Sequence, residues 1–385
     1  MSAAIALPLV VLLIVLVVTQ TGGGDKPGPA AGRIGSAADG DQITYLLIGT
    51  RANDSSGQAD WLTLMASDPS GDAPVTLFLP TATLTEIPGF GFDSLGKAMA
   101  LGRVPLQEIA VENMLGVNID HTLVVPQDLM SRIVDRAGGI QVTVAERLLE
   151  PKGNDTLVPV FEQGTQRLDG RGANRYLQFK GQNEDELARF VRAQQVWQAL
   201  YARFPRGKAA DLSRLVSGFG TALLTDATPQ DLGAFFSAFA AAGEGAAYRT
   251  LPVDAVGSGG SEDAFRVQQT RLDELVRTLL AGSQPPAAPG RGARVQVLNG
   301  NGQPEIGLAV ADALVPAGFR IVDTGNANSF DYPKTRIVVY READLPIAQR
   351  IKQLIKVGTI EISRTPQSIV DVTVVVGADF VAPQN

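Results

Sequence analysis

The chain has 385 residues, a net charge of −7, 45% hydrophobic and 19% charged residues, which is enough apolar material for two ordinary domains with packed cores. The acidic balance argues against a nucleic-acid partner, because a phosphate-binding surface shows as a basic excess. With no cysteine and a single histidine, His121, disulfides and thiolate metal sites are excluded and a Ser-His-Asp triad is a poor expectation. Any chemistry falls to carboxylates, arginines and hydroxyls.

In chain order, Ala3–Val18 is unbroken apolar sequence apart from Pro8, and the polar, Gly-rich Thr19–Gly24 follows it. The run is near the lower limit for a spanning helix and also fits a signal-peptide hydrophobic region. No small-x-small cleavage site follows, so residues 1–21 read as an uncleaved transmembrane anchor. Nothing basic precedes the run, while Lys26 and Arg33 follow it, so charge alone leaves the orientation open. Residues 22–40, rich in Gly, Pro and Ala, read as a flexible spacer.

The spacing then predicts strands over Ile43–Gly49 and Trp61–Ala66, joined by a polar loop, Thr50–Asp60. In the third strand, Val75, Leu77 and Leu79 alternate with Thr76 and Phe78 until Pro80 ends it. Thr81–Glu86 reads as a loop leading to the turn at Pro88–Gly89. Ser94–Leu101 and Pro105–Leu115 predict helices, Asp120–Val125 a strand, and Leu129–Ala137 a helix stopped by Gly138–Gly139. Ile140–Val144 is a further strand. Asp185–Phe204 predicts a long amphipathic helix with Leu187, Phe190, Val191, Trp197, Leu200, Tyr201 and Phe204 facing inward and the acidic Glu184–Glu186 at its N-terminus. Residues 282–292 form a Pro/Gly/Ala linker. Beyond it come a strand from Val295 to Asn299, a helix over Gly307–Ala317, strands over Phe319–Asp323 and Thr335–Tyr340, a helix over Leu345–Ile355 and a last strand within Asp371–Phe380. Such alternation predicts an α/β or mixed three-layer domain followed by a small α/β domain.

Several of these stretches resemble one family. Ile87-Pro88-Gly89-Phe90-Gly91 is similar to the signature of the LytR-CpsA-Psr proteins, as are Ile119-Asp120-His121, Ile133-Val134-Asp135, Gly138-Gly139-Ile140 and the run from Gly164 to Leu168-Asp169-Gly170. The resemblance covers residues 41–281, and residues 293–380 look like the LytR C-terminal domain, down to Val374-Val375-Val376-Gly377 near the end. It implies a three-layer mixed-sheet domain on an N-terminal membrane anchor, single-pass in the cell membrane, with the bulk of the chain extracellular. It also implies envelope assembly by phosphotransfer: a glycopolymer moves from a polyprenyl pyrophosphate carrier to peptidoglycan, with Mg2+ as cofactor. The partners implied are the polyprenyl (pyro)phosphate-linked glycan, peptidoglycan or another wall polymer, and the membrane.

The family carries an Asp after the first strand, another before the second, an Arg-Asp pair after the third, and arginines on two helices. Here Asp60 matches the second Asp, and Arg189 and Arg192 match an Arg-x-x-Arg-x-Gln pattern, with Gln194–Gln195 following. These imply Asp60, Arg189 and Arg192 as catalytic groups and Asp60 with Asp54 as metal ligands. Lys180, Gln195 and Arg51 would bind substrate. The first Asp is replaced by Arg51, the Arg-Asp pair by Thr81 and Ala82, and a helix arginine by Gln178. Two readings follow. In the first the chain is a working transferase. In the second it is a catalytically degenerate member that binds polyprenyl-linked lipid or wall polymer as a scaffold or regulator. His121 reads as a structural residue at a strand junction.

Overall fold

The computed structural model describes residues 42–382 except 52–55, 69–72, 153–155, 182–183, 205–212, 215–216, 220–223, 257–262 and 366. The expected anchor and spacer, and Asp54, lie outside the described residues. Among the described residues no helix is long and apolar enough to cross a membrane.

The chain opens with β1 (Ile43–Thr50), β2 (Trp61–Ser67) and β3 (Val75–Leu79), all nearly continuous apolar runs, as expected of strands covered on both faces. Next come β4 (Thr83–Ile87) and β5 (Gly91–Ser94), a hairpin closed by the Pro88–Gly89 turn with Gly89 at φ +88° and Gly91 at φ +84°. The loop expected over Thr81–Glu86 is therefore mostly strand. The two helices expected between residues 94 and 115 join as α1 (Ala98–Leu115), broken in direction at Gly102 and at Arg103, whose φ is +57°. Pro105 sits just past the break, where a new first helical turn tolerates its missing N–H.

Then follow β6 (His121–Pro126), α2 (Gln127–Arg136), β7 (Ile140–Val144), β8 (Leu148–Pro151), β9 (Leu157–Phe161) and β10 (Gly164–Leu168). Two helices pack next to one another, α3 (Gly170–Gln178) and α4 (Glu186–Tyr201). Asp185 caps α4, its carboxylate accepting from the amides of Leu187 and Ala188. The domain closes with β11 (Leu224–Thr225), α5 (Pro229–Ala242), β12 (Ala247–Thr250), β13 (Val253–Ala255), β14 (Phe265–Val267) and α6 (Gln269–Leu279).

Six strands form the central mixed sheet in the order β11-β6-β1-β2-β3-β12, with β1 antiparallel to β2 and parallel to β6. Period-two alternation divides its side chains between two cores. Tyr45, Leu47, Met65, Phe78 and Val125 join the residues of α2, α3, α4 and α5 on one face. Leu46, Ile48, Leu62, Leu64, Leu77 and Leu79 join those of α1 and α6 on the other. A smaller sheet, β13-β14-β4-β5, flanks this body.

The C-terminal domain contains β15 (Arg294–Asn299), α7 (Ile306–Leu314), β16 (Arg320–Asn326), β17 (Arg336–Val339), α8 (Leu345–Ile355), β18 (Thr359–Ile362) and β19 (Val372–Val376). Its sheet runs β16-β15-β19-β17-β18, all parallel except the β17–β19 pair. It docks on α1 and the β4–β5 hairpin. Asn113 on α1 exchanges two buried hydrogen bonds with the backbone of Ile321, Arg320 donates to the Met114 carbonyl, and Thr324 Oγ1 donates to Glu86 at 2.6 Å.

Candidate functional site

The C-terminal ends of β1 and β3 and the start of β2 converge beneath the first turns of α4. Gly49 makes this convergence feasible. A Cβ there would lie 2.0 Å from Trp61 Nε1, so only glycine lets the indole fold across the end of β1. The amide of Asp60 donates to the Gly49 carbonyl at 2.8 Å, which fixes the carboxylate at the rim of a pocket. Apolar side chains line the interior, among them Trp61, Phe78, Met130, Phe190 and Trp197, while Asp60, Gln178, Glu186 and Arg189 gather at the polar end. The cavity is about 50 Å3, room for a solvent-sized occupant, so a longer apolar ligand enters only if those rings move apart.

Asp60 Oδ1 is shared between two guanidinium groups, 2.6 Å from Arg51 Nη2 and 3.6 Å from Arg189 Nη2. The Arg189 side chain is 16% exposed and that of Arg51 48%, so one cation is lodged in the wall and the other stands at the mouth. Arg189 Nε also donates to the Leu177 carbonyl at the end of α3. Glu186, one turn before Arg189, accepts from the Thr81 amide at 2.7 Å, the Thr81 hydroxyl at 2.8 Å and the Ala82 amide at 3.1 Å. Burial pushes its carboxyl above the ordinary range, partly offset by those hydrogen bonds and the nearby Arg189. The loop that carries the Arg-Asp pair in the resembling family is thus held here by an internal carboxylate.

The other expected site residues are engaged elsewhere. Arg192 is 6% exposed, donates to both carboxylate oxygens of Glu184 and to the Phe179 carbonyl, and stacks on the Phe179 ring. It does not line the pocket, and neither arginine lies on a solvated helix face. Arg192 holds Glu184 below its ordinary pKa against the opposing effect of burial, which is a fastening of the segment before α4. Gln195 accepts from the Tyr176 hydroxyl and donates to the Thr143 carbonyl, so it joins α4 to α3 and β7. Lys180 pairs with Asp263 at 2.8 Å, and Asp263 also accepts from the Glu186 amide. Sequence reasoning missed Glu186 and Gln178 as pocket groups. Gln178 lay in a recognised motif position, and Glu186 read only as favourable charge at the helix N-terminus.

Asp54 lies outside the described residues, and the described residues do not by themselves fit the Mg2+ expected at Asp60. Mg2+ takes carboxylate oxygens in octahedral array, yet Asp60 is already met by two guanidinium groups and both Glu186 oxygens accept from the loop after β3. Among the described residues no cluster of three metal-ligating groups occurs. Away from the pocket, His121 Nδ1 lies 3.4 Å from Asp226 at the β6–β11 pair, a structural contact.

Residues 23–280 match the LytR_cpsA_psr family, about two thirds of the chain. The chain belongs to this family. Residues 292–380 match the domain described as LytR cell envelope-related transcriptional attenuator. Among curated LytR_cpsA_psr-type relatives, the chain is 27% identical over 153 residues to the "Probable cell wall biosynthesis protein LcpB" of Corynebacterium glutamicum, covering 40% of this chain and 36% of that protein. It is 28% identical over 167 residues to the "Polyisoprenyl-teichoic acid–peptidoglycan teichoic acid transferase TagU" of Oceanobacillus iheyensis (41% and 50% covered). The TagT of Bacillus subtilis is 27% identical over 177 residues (44% and 54% covered). The chain spans about half the length, or less, of these relatives. The crystal structure of B. subtilis TagV aligns with a TM-score of 0.55 at 20% identity, over 65% of this chain and all of that one, a likeness of fold.

Proposed function

We propose that the chain handles polyprenyl phosphate-linked glycopolymer during assembly of the cell envelope. The observation that carries this is the pocket's polarity: an apolar interior under α4 ends in a cluster of Asp60, Arg51 and Arg189. An amphiphile with an isoprenoid tail and a (pyro)phosphate head suits that division. Guanidinium groups present flat forks of donors that match phosphate oxygens. The named activities of TagU and TagT, on polyisoprenyl-linked teichoic acid, support the same class of ligand. The apolar run Ala3–Val18 supports a membrane tether, and placing the bulk of the chain outside the cell rests on the family resemblance.

In a transferase of this kind the acceptor hydroxyl oxygen bonds to the glycan-bearing phosphorus and the phosphoanhydride bond breaks. The carrier departs as polyprenyl phosphate and takes up the acceptor's proton. Arg51 and Arg189 would neutralise the charge that develops on the bridging and departing oxygens. A second reading, in which the ligand is held without transfer to peptidoglycan, is favoured by the commitment of Arg192 to Glu184 and of Glu186 to the loop after β3. Fewer preorganised charges then face the phosphates, and removing one such group from an active site costs on the order of 10²–10³ in rate.

Incubating the purified full chain with a synthetic polyprenyl-pyrophosphate sugar and a peptidoglycan acceptor separates the readings. Release of polyprenyl phosphate with labelled acceptor supports transfer. Saturable lipid binding without release supports the holding role. Absence of both release and binding overturns the pocket assignment.

A further inference from the structure

We propose that the site binds its diphosphate ligand without a divalent cation, the Arg51 guanidinium standing where a metal ion would bridge protein and phosphate. This rests on the reading of the pocket as a polyprenyl (pyro)phosphate site.

The argument begins with charge. A metal-bridged diphosphate needs protein carboxylates with open lone pairs facing the ligand. Among the described residues the carboxylate on the rim, Asp60, has the Arg51 guanidinium at 2.6 Å and the Arg189 guanidinium at 3.6 Å on the same oxygen. A cation on that oxygen would have to displace Arg51, and one on the other carboxylate oxygen would still sit beside both guanidinium groups, like charge against like charge. Glu186 offers no alternative, because its oxygens accept from Thr81 and Ala82. The cluster of Arg51, Asp60 and Arg189 therefore carries one net positive charge before any ligand arrives.

Geometry points the same way. Arg51 follows the last residue of β1 and is half exposed at the mouth, whereas Arg189 is mostly buried in the wall. Asp60 lies between them and orients both. Such a pair of planar cations, held by one shared carboxylate, is a preorganised clamp for adjacent phosphate groups. The cation-bridging role is thereby transferred to a side chain that is always charged and cannot be removed by a chelator.

The protein carries its own probe, since its only two tryptophans, Trp61 and Trp197, both line the pocket. Farnesyl diphosphate titrated into the purified full chain should quench or shift their fluorescence. The expected result is the same Kd, within about twofold, in EDTA and in excess Mg2+, and a loss of roughly tenfold or more in EDTA for Arg51→Asp that Mg2+ restores. Binding by the parent chain that EDTA weakens roughly tenfold or more overturns the proposal and leaves the pocket assignment standing. Arg51→Asp binding as tightly as the parent in EDTA also overturns it. No binding by the parent in either buffer removes the pocket assignment itself, and this inference with it. If Arg51→Asp does not fold, the comparison of EDTA with Mg2+ on the parent chain decides alone.

Discussion

Asn113 and Ile321 are joined by two buried hydrogen bonds, the Asn113 amide donating to the Ile321 carbonyl at 2.8 Å and its oxygen accepting from the Ile321 amide at 2.7 Å. This side chain completes the β16 backbone from the other domain, much as a neighbouring strand would. Replacing Asn113 by Leu should strand one buried donor and one buried acceptor at a cost of about 2–4 kcal/mol. Chemical denaturation should register the loss, and limited proteolysis should show faster cleavage between the two domains.

Glu186 holds the loop after β3 through three donors, two of them backbone amides. Glu186→Ala should cost about 2–4 kcal/mol, because those donors are left without partners in a protected position. Glu186→Gln retains one accepting oxygen and should fall between the parent and Glu186→Ala. Urea midpoints of the three chains give the order.

Gly49→Ala would force a methyl group into the Trp61 indole. The expected outcome is a displaced ring and a destabilisation of about 1–3 kcal/mol, the usual result of overpacking. Tryptophan emission should shift in the same variant, since Trp61 is one of only two tryptophans.

The contact between His121 and Asp226 gives stability a pH dependence. The Asp226 carboxylate, 3.4 Å away and opposite in charge, holds the imidazole above its ordinary range, against the effect of burial. Asp226 itself is held below the ordinary carboxylate range, although burial opposes this. The histidine's contribution is full below its unfolded pKa and is lost as pH rises through the raised folded value. The aspartate's is present above its unfolded pKa and is lost on acidification. The parent chain should therefore exceed His121→Gln most between these limits, with the gap closing as pH rises through the raised histidine value. Asp226 is half exposed, which holds the effect to about 1 kcal/mol or less. Thermal unfolding across that range is the check.

The central strands were legible because their signal is local. Runs such as Leu46-Leu47-Ile48 and Leu77-Phe78-Leu79, short and flanked by turn residues, read as strands buried on both faces. What escaped was set by partners far along the chain. Thr83–Ile87 looked like a polar loop because its Thr and Glu side chains are buried only by the C-terminal domain and neighbouring elements, Glu86 being met by Thr324. Arg192 matched a motif, but its burial depends on Glu184 and Phe179 curling back over α4. Val191, expected inside, is 64% exposed, because one helical position turned that side chain off the apolar stripe. At the candidate site, Asp60, Arg189 and Arg51 could be named from sequence, yet the sharing of one oxygen between two cations is a spatial fact that no spacing encodes.

The Pro88–Gly89 turn meets the start of α7 closely enough that a Cβ on Gly307 would come within 3.2 Å of Gly89 Cα, and one on Gly89 within 3.0 Å of the Leu308 amide nitrogen. The two domains are therefore not interchangeable parts. A C-terminal module grafted from elsewhere would seat against this hairpin only if it brought a bare backbone to the same point. Any side chain there would act as a wedge, opening the joint around Asn113 as well. At these two positions the fold has tied the inheritance of one domain to that of the other.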